Sequence, residues 1–129
     1  MASKHPDATT LDFETFWHWL IGHHGCIVSA GGPGCALHDH LDLHWRFAEE
    51  ADGTCSVLLQ RGKDTLAELA FPAAEVSHVL VMAEGDAEDA DVTRFECVGS
   101  ADGQPGLIAY FVLSHGYTPV ATAPERWTH

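Results

Sequence analysis

Residues 38–45 read HDHLDLHW, and place His38, His40 and His44 beside Asp39 and Asp42 within one short stretch. Two imidazoles at i and i+2 along a strand reach a common zinc, nickel or copper ion, and a carboxylate or thiolate completes such a set. Cys35 precedes the cluster across a glycine-rich turn, so the candidate metal ligands are Cys35, His38, His40, Asp42 and His44. At ~3.3 Å per residue an extended strand sets His38 and His44 roughly 20 Å apart, so one ion takes a pair, His38/His40 or His40/His44, and a third ligand from elsewhere. Arg46 shares the parity of the histidines and opposes a cation nearby. The competing reading is a solvated polar strand face, backed by Leu41, Leu43, Trp45 and Phe47 on the other side.

The spacing HxHxDxH differs from the HxHxDH signature of metallo-β-lactamase-like hydrolases by Leu43, inserted before the last histidine. The His38-x-His40 pair is similar to the first motif of cupins, but His44 stands where their glutamate is expected and no second motif follows Gly99 and Pro105. Neither family lends a residue role here.

Other chemistry is thinly represented. Cys26, Cys35 or Cys97 with a histidine would make an activated thiol, yet Cys55 and Cys97 fall within strand patterns where a small apolar side chain suffices. No serine stands in GxSxG and no glycine-rich loop has phosphate-cradling spacing. Residues 84–91, EGDAEDAD, carry five carboxylates but miss the EF-hand template at the turn glycine and the closing glutamate. They read as a solvated connector or as a patch that meets a basic partner.

The elements that must position these residues follow from periodicity. Thr10 can cap a helix running to about His23, with Phe13, Phe16, Trp17, Leu20 and Ile21 on one stripe and Trp19 turned away from it. An outward tryptophan is either half covered by a neighbouring loop or a candidate interface anchor. Cys26 to Ala30 reads as a short strand and AGGPG as a turn. Period-two alternation from Leu41 predicts a strand, and Ala51-Asp52-Gly53 a three-residue loop pairing Phe47 with Val57 and Trp45 with Leu59. A further three-residue closure at Gly62-Lys63-Asp64 sets Val57 against Leu69 and Cys55 against Phe71. Strands are also expected at Val76–Ala83, Val92–Val98 and Leu107–Ser114, with LIAYFVL buried on both faces. The expected fold is α+β: an N-terminal amphipathic helix packed on an antiparallel sheet of five to six meandering strands. Residues 1–9 read as a disordered arm, 10–115 as one domain and 116–129 as an irregular tail carrying Trp127.

The chain has 129 residues, with six Lys and Arg against nineteen Asp and Glu, a formal charge of −13. Such a surface repels phosphate polyanions and anionic membranes, which argues against nucleic-acid binding except by mimicry. No apolar run approaches the ~20 residues that cross a bilayer, and ASKHPDATT after Met1 lacks the apolar core of a secretory signal, so the cytoplasm is the expected compartment. The function these features favour is a non-catalytic, acidic protein-binding module of the adaptor, chaperone or immunity type, without a cofactor. It would engage a basic partner or a second copy through Trp19 and the carboxylates Glu84, Asp86, Glu88, Asp89 and Asp91. The alternative is a protein binding zinc or another divalent transition metal through the histidine cluster.

Overall fold

The computed structural model describes residues 9–83, 92–101 and 104–117. Among them are ten regular elements: β1 (Thr9–Leu11), α1 (Phe13–Gly22), β2 (Ile27–Gly32), β3 (Cys35–His38), β4 (His44–Glu49), β5 (Thr54–Arg61), β6 (Asp64–Pro72), β7 (Val76–Ala83), β8 (Thr93–Ala101) and β9 (Gln104–Leu113). Short 3-10 turns, His24–Cys26 and Ala73–Glu75, precede β2 and β7. The strands form two antiparallel sheets, one of six in the order β1-β7-β8-β9-β2-β3 and one of three in the order β4-β5-β6.

This corrects the expected fold. The described chain is mostly sheet, and its helix does not lie on one meandering sheet but contacts two. The strand expected from Leu41 onward is the source of the difference. Residues 39–43 are a turn, closed by Leu43 N–H donating to the His40 carbonyl at 3.0 Å. There the chain leaves the edge of the larger sheet at β3 and begins the smaller one at β4. Leu41, which alternation assigns to the core, is 98% exposed. The apolar period of two runs through Leu41 and Leu43 without a break, so pattern alone could not register the turn.

The helix also begins later than its composition suggests. Thr9–Leu11 pairs with Val79–Val81 of β7, which removes Thr10 from capping. Asp12 takes that role: its carboxylate accepts from the Thr15 backbone N–H at 3.1 Å and from the Thr15 hydroxyl at 3.3 Å. Successive antiparallel pairings make β1 and β2 parallel with β7, β8 and β9 between them, so α1 is a crossover carried over the inner face of the large sheet.

The helix thereby joins both sheets. Phe16, fully buried, stacks on Phe95 at 5.1 Å and tilts against Phe111 at 5.8 Å in the large sheet. Trp17 meets Phe47 at 5.2 Å and Phe71 at 5.9 Å in the small sheet, both edge to face. Trp45 adds a second tie, its indole N–H donating to the Ile27 carbonyl at 3.3 Å. One continuous core spans the helix and both sheets.

The hairpins of the small sheet keep their expected partners. Trp45 faces Leu59, Phe47 faces Val57, Val57 faces Leu69 and Cys55 faces Phe71. The first closes over Ala51-Asp52-Gly53, with Gly53 at φ 92°. The second closes over two residues rather than three, Arg61 pairing with Asp64 around Gly62 at φ 60°, and a bulge at Leu66 restores the register. In the large sheet Pro33-Gly34 closes β2 on β3, with Gly34 at φ 79°, the residue order of a type II turn. Next to it the Tyr110 ring packs over Gly31, where a Cβ would collide with the Cys35 carbonyl oxygen and the Tyr110 hydroxyl. Val76–Ala83 is a strand opened by a helical turn, and Leu107–Leu113 lies in an interior strand between β8 and β2.

Truncating Phe16 removes the contact between helix and large sheet at the centre of this core. Phe16→Ala is expected to lower unfolding free energy by about 3–5 kcal/mol in urea denaturation. Leu41→Ala is expected to change it by no more than about 0.5 kcal/mol.

Candidate functional site

The histidine cluster does not form one site. Cys35 is half-buried at the start of β3, His38 is exposed at its end, His40 and Asp42 are exposed in the turn, and His44 is exposed at the start of β4. His40 Nδ1 accepts the Asp42 backbone N–H at 3.2 Å, which uses its lone pair and places the ring proton of the neutral imidazole on Nε2. Among the described residues no group of three or more His, Cys, Asp or Glu side chains is arranged to hold a metal ion.

Trp19 is not the exposed anchor expected from its helical angle. It is 2% exposed, packed against Phe95 at 5.3 Å, His23 at 4.3 Å and Tyr117 at 5.0 Å. The segment that follows β9 supplies the cover, so a side chain off the main apolar stripe is enclosed by residues nearly a hundred positions later. Glu84, Asp86, Glu88, Asp89 and Asp91 lie outside the described residues, as do most of the arm 1–9 and of the tail 116–129 with Trp127.

The structure brings together a different set. A cleft of about 290 Å³ is lined by Phe13, Glu14, Trp17 and His18 of α1, Glu49 at the end of β4, Cys55 near the start of β5, and Ala73 and Ala74 of the 3-10 turn before β7. Residues 13, 14, 17 and 18 share one side of a helix, so α1 alone provides half the lining. Phe13 and Trp17 stack at 5.6 Å to form an aromatic wall. The Trp17 indole N–H donates to Glu49 Oε2 at 2.7 Å, fixing the carboxylate against that wall across 32 residues of sequence. Glu14 adds a second carboxylate, exposed like Glu49, and among the described residues no Lys or Arg lines the cleft.

Glu14 and His18 read in the sequence as the solvated side of an amphipathic helix, and Glu49 as the end of a strand. Only the position of the β4–β5 hairpin beside the first turns of α1 joins them. The one local signal was the EE pair, Glu49-Glu50, placed immediately after an apolar strand.

The thiol at this cleft is not an activated one. Burial first, and then the charge of Glu49, push the Cys55 thiol up to about 11. At neutral pH it is protonated and a poor nucleophile. Burial also raises the Cys97 thiol, with a smaller contribution from Cys55, and Cys97 has no exposed surface. The cleft is slightly smaller than a typical ligand pocket and pairs an apolar aromatic wall with negative charge at its rim. That combination is complementary in chemistry to a side chain with an apolar stem and a cationic head.

Comparison with known proteins gave no match to a family model, a curated protein or a solved structure. Among the described residues no helix is long and apolar enough to cross a membrane.

Two measurements follow from the thiols. Near neutral pH, a thiol reagent is expected to modify half-buried Cys26 and Cys35 first, and to reach Cys55 and Cys97 only on unfolding. Folding raises the Cys55 thiol from its ordinary value of 9.0 to about 11, so the unfolded chain loses this proton first. The stability contribution is therefore complete below about pH 9 and is lost as pH rises toward about 11. Urea midpoints across this range should fall less in Cys55→Ala than in the parent chain.

Proposed function

We propose that this protein is a non-catalytic, acidic binding module of the adaptor, chaperone or immunity type that engages a basic protein segment, seating a Lys or Arg side chain in the cleft between α1 and the β4–β5 hairpin. The observation that carries this reading is the placement of Glu14 and Glu49 beside the Phe13–Trp17 wall. An ammonium or guanidinium head pairs with the carboxylates while its stem covers the aromatic rings. The net charge of −13 supports it at longer range by drawing a basic segment toward the surface. In sequence, residues 84–91 contribute five of the carboxylates behind that net charge. The cytoplasm is the compartment proposed for this encounter.

The fixed carboxylate makes the reading more specific than charge alone. Glu49 is held by Trp17 before any partner arrives, so less side-chain freedom is lost on binding. A short peptide containing Arg and Lys should change the tryptophan emission saturably, and its affinity should fall as salt rises. The double variant Glu14→Gln, Glu49→Gln keeps an acceptor for Trp17 and is expected to weaken binding roughly fivefold to tenfold, the effect of two partly exposed charge pairs. Equal affinity of parent and variant, or equal binding of an acidic peptide, would sink the proposal.

A further inference from the structure

The end of α1 holds a second group of side chains, independent of the cleft at its beginning. His23, the C-cap residue, donates from Nδ1 to the Trp19 carbonyl at 2.7 Å. His115, just after β9, donates from Nδ1 to the Gly116 carbonyl at 2.8 Å. A carbonyl oxygen only accepts, so each Nδ1 carries a proton and each neutral ring keeps its lone pair on Nε2. This is the arrangement by which proteins prepare histidine as a metal ligand, with one nitrogen tied to a backbone carbonyl and the other left for the ion. His40 has the opposite arrangement, with Nδ1 as acceptor.

The two rings are also spaced for a shared ion. Their centroids are 5.3 Å apart and their planes cross at 65°, so they do not stack on one another. With a metal–nitrogen distance of ~2.0–2.1 Å and a tetrahedral angle, two imidazole centroids bound to one ion stand about 5.3 Å apart. Packing restricts both rings. The Trp19 indole covers the face of His23 at 4.3 Å and 27° and meets His115 edge to face at 5.8 Å and 81°. Both histidines are half-buried, and the C-terminal pole of α1 favours a cation beside His23.

We propose that His23 and His115 form a two-histidine site for a late first-row divalent ion of the zinc, copper and nickel class, bound through the two Nε2 atoms with solvent completing its coordination. The ion would tie the end of the helix to the segment that leaves β9, across the buried Trp19. With two protein ligands, binding is weaker than at a closed four-ligand structural zinc site, and occupancy depends on the available metal.

Calorimetric titration of the tag-free protein with Zn2+ tests this. One saturable equivalent is expected, with affinity reduced at least tenfold in His23→Gln and in His115→Gln. It should be retained in the triple variant His38→Gln, His40→Gln, His44→Gln. Unchanged affinity in the first two variants, loss of binding in the triple variant, or no saturable binding to the parent would each overturn the assignment. Should a variant lose its fold, the unmodified protein still answers through the electron paramagnetic resonance of one bound Cu2+. Splitting from two imidazole nitrogens, together with copper-dependent quenching of tryptophan emission that Trp19→Phe diminishes, is expected. A spectrum without imidazole nitrogen would overturn the proposal.

Discussion

Phe16 and Trp17 are neighbours in the chain yet pack into different sheets, the first on Phe95 and Phe111, the second on Phe47 and Phe71. Successive helical side chains diverge by about 100°, so a helix lying where two sheets converge can place one aromatic ring in each. That double contact sets the position of α1, and α1 sets nearly everything else. Its first turns form one wall of the acidic cleft, its middle fills the core, and its last turn presents His23 to His115. A small displacement of the helix would disturb both ends together, because closely packed interiors transmit strain rather than absorb it.

Local pairing was legible in the sequence and long-range closure was not. The hairpins of the small sheet could be read because turn glycines and apolar alternation agree on a register, as Phe47 opposite Val57 and Val57 opposite Leu69 show. At Leu66 a bulge replaced one turn residue without altering those partners, since the same large side chains still meet. The division into two sheets stayed hidden because Leu41 and Leu43 continue an alternation that the backbone interrupts. The cleft was invisible for a different reason: Glu14, His18 and Glu49 each look solvated on their own elements, and only tertiary placement makes them a group. Trp19 misled in the reverse direction, because helical angle reports the main apolar stripe and not the cover supplied from beyond β9.

The electrostatic layout ties one of the scarce cations to the large sheet. Arg94 donates from Nε to Glu96 at 2.7 Å and lies 4.2 Å above the Tyr110 ring, on the strand face that also packs over Gly31. The side chains of Arg94 and Glu96 are about a quarter exposed, so this cation is committed to the sheet rather than offered to solvent. At the other extreme, Cys55 and Cys97 occupy the interior as protonated thiols, where they pack as small apolar groups. Negative charge is thus left to the rim, and the most firmly held carboxylate at the cleft is the one Trp17 anchors.

The crossover of α1 has a further consequence for how the chain reaches this state. Residues 9–11 find their partners at 79–81, and β2 finds β9, so the large sheet joins the two ends of the described sequence. The small sheet, by contrast, is built from three consecutive strands closed by tight turns. Pairings between distant segments must meet the entropy of closing long loops before any contact repays it, and they slow folding accordingly. During synthesis the inner strands can meet as soon as they emerge, whereas β2 stays without its β9 neighbour until almost the whole domain has been made. The order in which the two sheets can close is therefore written into the topology, with the helix waiting between them.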